Sequence, residues 1–127
     1  MHDIAECIVG DITPQDGVSA DEKHDREMQA IRTLVSRLPD FVARDLYDAF
    51  RRYEDDDNDD CAARLTRDLD KFDMVLQAFE YEKAAKDRPP HFLQSFFDST
   101  EGIFRTEPVQ KLVACLCEKR KSFVDGP

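Results

Sequence analysis

Glycine and proline are scarce in this 127-residue chain, at four and six residues, and runs of β-branched residues are short. Strands favour such runs and tight turns use such breakers, so the shortage argues for helices. No apolar stretch approaches the roughly 20 residues that a membrane-spanning helix needs. No signal-peptide pattern opens the chain either, so we expect a soluble, cytoplasmic protein without a membrane partner. Cys-x-x-Cys is missing: of Cys7, Cys61, Cys115 and Cys117, only the last two are close. The expectation is four reduced, mostly buried thiols. Internal repeats and low-complexity linkers are absent as well. Positive charge is in deficit, with 18 Lys and Arg against 28 Asp and Glu, a formal net charge of −10. Such a surface repels polyanions, which argues against nucleic-acid polymers and anionic membranes as partners. A small phosphorylated substrate remains compatible, because a bound divalent cation inverts the local field of one pocket.

What is present fits a single domain spanning residues 1–127, with a modest core and a heavily charged surface: 41% of residues are apolar and 36% charged. His2 to Val9 reads as the end of a helix stopped by Gly10. The stretch from Asp11 to Gly17 is turn-rich. Ser19 and Glu22 form an S-x-x-E capping box that opens a helix, with Met28, Ile31, Leu34, Val35 and Leu38 at helical spacing. Pro39 breaks it, and Asp40 can cap a further helix carrying Val42, Leu46, Ala49, Phe50 and Tyr53.

The acidic run Asp55 to Asp60 invites a test as a calcium loop. Counted from Asp55, position six is Asp60 and position twelve is Thr66; counted from Asp56, they are Cys61 and Arg67. Neither register supplies the glycine and closing glutamate of an EF-hand, so a solvated acidic loop is expected. A long helix then runs from Ala62 to Lys86. One stripe is Leu65, Leu69, Phe72, Leu76 and Phe79; a second is Asp70, Met74, Gln77 and Tyr81. Two stripes about 120° apart predict a helix enclosed on more than one side. Pro89 and Pro90 end it. After Phe92, Phe96 and Phe97, Pro108 starts a last helix with Val109, Leu112, Val113 and Leu116, and the basic tail from Lys119 is expected to fray.

The chemistry concentrates in His2-Asp3-Ile4-Ala5-Glu6-Cys7-Ile8-Val9-Gly10-Asp11. On a helix His2 and Glu6 lie one turn apart and Asp3 neighbours Glu6. One imidazole and two carboxylates then converge, a donor mix that suits a divalent cation. Gly10 allows a sharp turn, which lets Asp11 fold back toward the cluster. The alternative is a helix end with solvated charges.

The string HDIAECIVGD resembles the signature of HD-domain metal-dependent phosphohydrolases, and in particular their 5′-deoxynucleotidase branch. So do DEKHDRE (21–27), Leu69-Asp70 within TRDLDKFDMVLQAFEYE, and FFDSTEGIF (96–104). The resemblance spans nearly the whole chain. It implies an all-α HD-domain helical bundle and hydrolysis of deoxyribonucleoside 5′-monophosphates. His2, Asp3 and Asp70 match the metal ligands, with Asp73 the rival of Asp70. Glu6 and Asp11 match the acidic residues that orient or deprotonate the attacking water. Asp11, Ile12, Thr13 and Pro14 match the segment lining the nucleotide pocket. The metal, one of Mn, Co, Mg, Fe or Zn, is not readable from this ligand mix.

The family takes a further histidine, and residues for the substrate phosphate, from upstream of the HD pair. Here Met1 precedes His2, so the expectation is a bundle lacking its first helices, with weaker metal affinity and exposed apolar faces that favour a homo-oligomer, a dimer first. His24 and His91 are expected at the surface. Two other readings stay open: a different HD phosphohydrolase acting on a phosphodiester or triphosphate, and a catalytically inactive helical interaction module.

Overall fold

The computed structural model describes residues 2–55 and 59–126. The centre of the acidic run, residues 56–58, lies outside the described residues. The described residues are helical with no strand among them, as the scarcity of β-branched runs implies. Among the described residues no helix is long and apolar enough to cross a membrane. The chain divides into two compact units, Met1–Asn58 and Asp59–Pro127.

In the first unit a 3-10 turn, His2–Ala5, runs into α1 (Glu6–Val9), which ends at Gly10 with φ 81°. That positive φ is open to glycine at little cost. A second 3-10 turn, Pro14–Asp16, is closed by a capping box. The Thr13 N–H donates to Asp16 Oδ2 at 2.7 Å, and the Thr13 hydroxyl meets the same oxygen at 3.1 Å. Next come α2 (Ala20–Val35) and α3 (Asp40–Glu54). The Ser19 hydroxyl accepts the Glu22 N–H at 3.1 Å, as its spacing predicts. Glu22 turns its carboxylate to Arg26. Asp40 differs from expectation: Pro39 holds the N-cap position and Asp40 sits inside the first turn. Its charge there favours the helix dipole without capping a backbone N–H.

Ala5, Ala30, Ile31 and Phe50 form the core of this unit, with Ile4, Val9, Met28, Val35, Leu46 and Tyr47 packed around it. Residues 28, 31 and 35 lie on one face of α2, and 46, 47 and 50 on one face of α3. The two small alanines, buried between the 3-10 turn and α2, let the segment bearing His2 and Asp3 approach closely. That close approach positions the site.

The second unit contains α4 (Cys61–Ala84), α5 (Gln94–Asp98) and α6 (Glu107–Asp125). Asp60 caps α4 by accepting the N–H groups of Ala62 and Ala63 at 3.0 and 3.2 Å. The buried face of α4 takes only part of the stripes read from sequence: Phe79 is in the core, and Phe72, Leu76 and Met74 pack against it. Leu65, Leu69 and Tyr81 are exposed, and the helix buries Asp68, Val75, Ala78, Phe79 and Glu82. The core is Val75, Phe79, Phe104, Val109 and Leu116. α6 also runs to Asp125, through the tail expected to fray.

Two buried carboxylates bracket this core. Asp68 Oδ2 accepts the N–H groups of Arg105 and Thr106 at 3.0 and 2.6 Å and the Thr106 hydroxyl at 2.6 Å. It satisfies the backbone entering α6 and sets a negative charge at that helix's positive end. Glu82 accepts Arg120 Nε and Nη2 at 2.8 and 3.0 Å, and the Leu93 N–H at 3.0 Å. Arg120 Nη1 reaches Gln94 Oε1 at 2.8 Å, and its guanidinium lies 3.8 Å from the centre of the Phe97 ring. From Asp68 to Glu82 and from Thr106 to Arg120 the separation is the same, so α4 and α6 run parallel, clamped about 21 Å apart along their lengths.

All four cysteines are free and exposed, contrary to the expectation of mostly buried thiols. Cys115 and Cys117 flank the buried Leu116, and each lies about 100° round the helix from it, off the packed face.

Candidate active site

The site lies in the first unit and begins at the 3-10 turn. His2 Nε2 is 3.0 Å from Asp3 Oδ1; the His2 side chain is 22% exposed and that of Asp3 61%. The His2 ring stacks on Tyr53 of α3, with centroids 4.5 Å apart and planes inclined by 27°. One turn further along the chain, Glu6 is half-buried. Burial raises its proton affinity above the ordinary carboxylate, and the charges of Asp3 and Asp11 raise it further, while Lys23 opposes them. The charges of Asp3 and Asp11 thus act on Glu6, but the expected convergence of His2, Asp3 and Glu6 into one donor set is not found among the described residues.

Behind Glu6 stands an acidic group on α2 and α3. Glu27 is also raised, first by burial and then, against the pull of Lys23, by Glu54. Lys23 Nζ lies 3.7 Å from Glu27 Oε1. His24 Nδ1 lies 3.4 Å from Glu54 Oε2. His24 and Glu54 line a cleft of about 340 Å³ together with Met28, Tyr47, Arg51 and Asp55.

Of the substrate-segment residues, Asp11 is exposed, Ile12 and Thr13 are half-buried, and Pro14 opens the 3-10 turn. Asp70 is half-buried on α4 and Asp73 is exposed. His24 and His91 are exposed, as expected.

The donor types at His2 and Asp3 fit a divalent cation: an imidazole nitrogen and a carboxylate oxygen lie side by side, shielded on one flank by an aromatic ring. Among the described residues, no three His, Cys, Asp or Glu side chains are grouped so as to hold a metal ion. Sequence reasoning missed Tyr53, Glu54 and Glu27. Lys23 and Glu27 carried a visible i, i+4 signal. Tyr53 and Glu54 carried none, because their partners lie 51 and 30 residues away.

A family model described as HD domain matches residues 1–113. The chain belongs to the HD domain family. Relatives within it include "5'-deoxynucleotidase HDDC2" of Xenopus laevis, 40% identical over 98% of this chain and 60% of that protein. The protein of that name in Homo sapiens is 38% identical over 96% of this chain and 58% of its own length. "5'-deoxynucleotidase YGK1" of Saccharomyces cerevisiae is 33% identical over 99% of this chain and 58% of its own. The chain thus spans about three-fifths of the length of these HD-domain relatives.

Proposed function

We propose that this chain carries the metal-binding part of a 5′-deoxynucleotidase, hydrolysing deoxyribonucleoside 5′-monophosphates to deoxynucleoside and phosphate. The supporting observation is the His2–Asp3 pair, two donors 3.0 Å apart at the signature of a chain that belongs to the HD domain family. His2 and Asp3 hold the cation, and Asp70 adds a donor by the family pattern. The half-burial of Asp70 favours it over the exposed Asp73. Mn, Co, Mg, Fe and Zn all accept this mix of nitrogen and oxygen. When bound, the cation supplies water activation and charge neutralisation.

The remaining steps belong to the chain's own side chains. Glu6, whose proton affinity is raised by burial and by the charges of Asp3 and Asp11, is the carboxylate suited to take the proton of an attacking water. Asp11 shares that task and, with Ile12, Thr13 and Pro14, lines the nucleotide. The Thr13–Asp16 capping box keeps that segment in one shape. The acidic surroundings of Glu6 repel a phosphate until a cation offsets them, which couples substrate binding to metal binding. We read both units as parts of one HD domain, since the family match runs through each. We also take the protein to be cytoplasmic and a homodimer. Light scattering that returns the 14.7 kDa chain mass would remove the dimer.

The test is phosphate release from deoxynucleoside 5′-monophosphates with Mn²⁺ or Co²⁺, with the Xenopus laevis relative as positive control. Turnover of monophosphates alone is expected. Turnover only of a phosphodiester or triphosphate would move the substrate class elsewhere in the family. Metal-independent silence on every substrate would favour the interaction-module reading, to which the exposed Phe41, Tyr81 and Ile8, at 65, 58 and 54%, would then belong.

A further inference from the structure

We infer that Tyr53 is a positioning residue for the metal-binding imidazole of His2. The inference rests on the proposed metal role of His2 and adds a residue that the HD signature does not contain. His2 opens a short 3-10 turn, and its side chain is 22% exposed. The χ2 torsion of histidine is broad and roughly two-fold, so a ring in that place readily turns its nitrogens away from a cation. Two contacts oppose this. Asp3 Oδ1 lies 3.0 Å from Nε2, an ion-pair contact at the edge of the ring. The Tyr53 ring lies against the imidazole face at 4.5 Å and 27°, within the range of offset stacking. Edge and face are both engaged, and Nε2 is screened from solvent.

α3 is well placed for this work. Phe50, three residues before Tyr53, is 3% exposed in the core of the first unit, so the turn that presents Tyr53 is anchored. A bound cation would strengthen the stack. Ligation draws electron density from the imidazole, and a more positive ring is held more strongly by the face of tyrosine. Tyr53 therefore favours the bound state as well as orienting the free one. The effect needs the aromatic face and does not need the hydroxyl.

Three variants separate positioning from packing: Tyr53→Phe, Tyr53→Leu and Phe50→Leu, each in the 127-residue chain. The first readout needs no metal. Proton NMR of wild type and Tyr53→Phe will show the His2 ring protons shifted upfield by the stacked ring, and Tyr53→Leu will lose that shift. The second readout is Mn²⁺ affinity by calorimetry. Tyr53→Phe will stay within about twofold of wild type, and Tyr53→Leu will bind about fivefold more weakly, the scale of one stacked pair. Phe50→Leu will lower the melting temperature while its affinity, measured well below melting, holds. Wild type without an upfield shift overturns the inference. So does a Tyr53→Leu that keeps wild-type affinity, or a Phe50→Leu that loses as much affinity as Tyr53→Leu. A wild type that shows the ring shift but binds no Mn²⁺ removes the metal role of His2, and this inference with it.

Discussion

Removing the charge of Glu82 is the sharpest probe of how the second unit is held together. Glu82 is 1% exposed and accepts three hydrogen bonds, two from Arg120 and one from the Leu93 N–H. The Arg120 side chain is itself only 12% exposed. Glu82→Gln leaves a guanidinium enclosed without its counter-charge, and breaking a buried pair from one side costs about 3–5 kcal/mol. Arg120 keeps Gln94 and the face of Phe97, and glutamine retains one acceptor, so we expect the low end, about 3 kcal/mol. With a urea slope of about 1.5 kcal/mol/M, the midpoint falls by about 2 M. The double variant Glu82→Met/Arg120→Met removes both charges and leaves mainly the Leu93 N–H unsatisfied, at a cost of about 1–2 kcal/mol. Far-UV circular dichroism in urea measures all three proteins, and amide exchange at Leu93 reports the clamp itself. Glu82→Gln costing under 1 kcal/mol, or a double variant at least as unstable as Glu82→Gln, would refute the reasoning.

Two further outcomes are expected. Asp70→Ala will abolish tight Mn²⁺ binding and Asp73→Ala will spare it; the reverse pattern by calorimetry removes Asp70 as a ligand. Glu27 has a raised native affinity for its proton, so the native state holds that proton at pH values where the unfolded chain has released it. Its contribution to stability is therefore lost as pH rises from about the ordinary value of 4.5 through the raised native one. Glu27→Gln will flatten the fall in urea midpoint across that window and raise stability at neutral pH, whereas a profile parallel to wild type would refute the assignment.

Local features were legible in the sequence because their causes are local. The Ser19 cap, the break at Pro39, the turn at Gly10 and the stripes of α2 and α3 follow from hydrogen-bond geometry and helical spacing within a few residues. The His2–Asp3 pair and the pull of Asp3 and Asp11 on Glu6 were also readable, since short separations and one glycine bring them together. α4 was legible only in part: Phe72, Leu76 and Phe79 of the first stripe pack inward, but Leu65 and Leu69 are exposed and the packed face also holds two acids. Periodicity counts a carboxylate as outward-facing. Only the tertiary partners decide otherwise, by giving Asp68 the entry of α6 and Glu82 the fork of Arg120. The stack of Tyr53 on His2 was likewise hidden, as nothing in either segment specifies the other. The sequence by itself determined the helical class, the first unit's core faces and the local signature of the site. Tertiary structure decided which acids are buried and which ring steadies His2, because a buried charge or an oriented imidazole is set by partners distant in the chain.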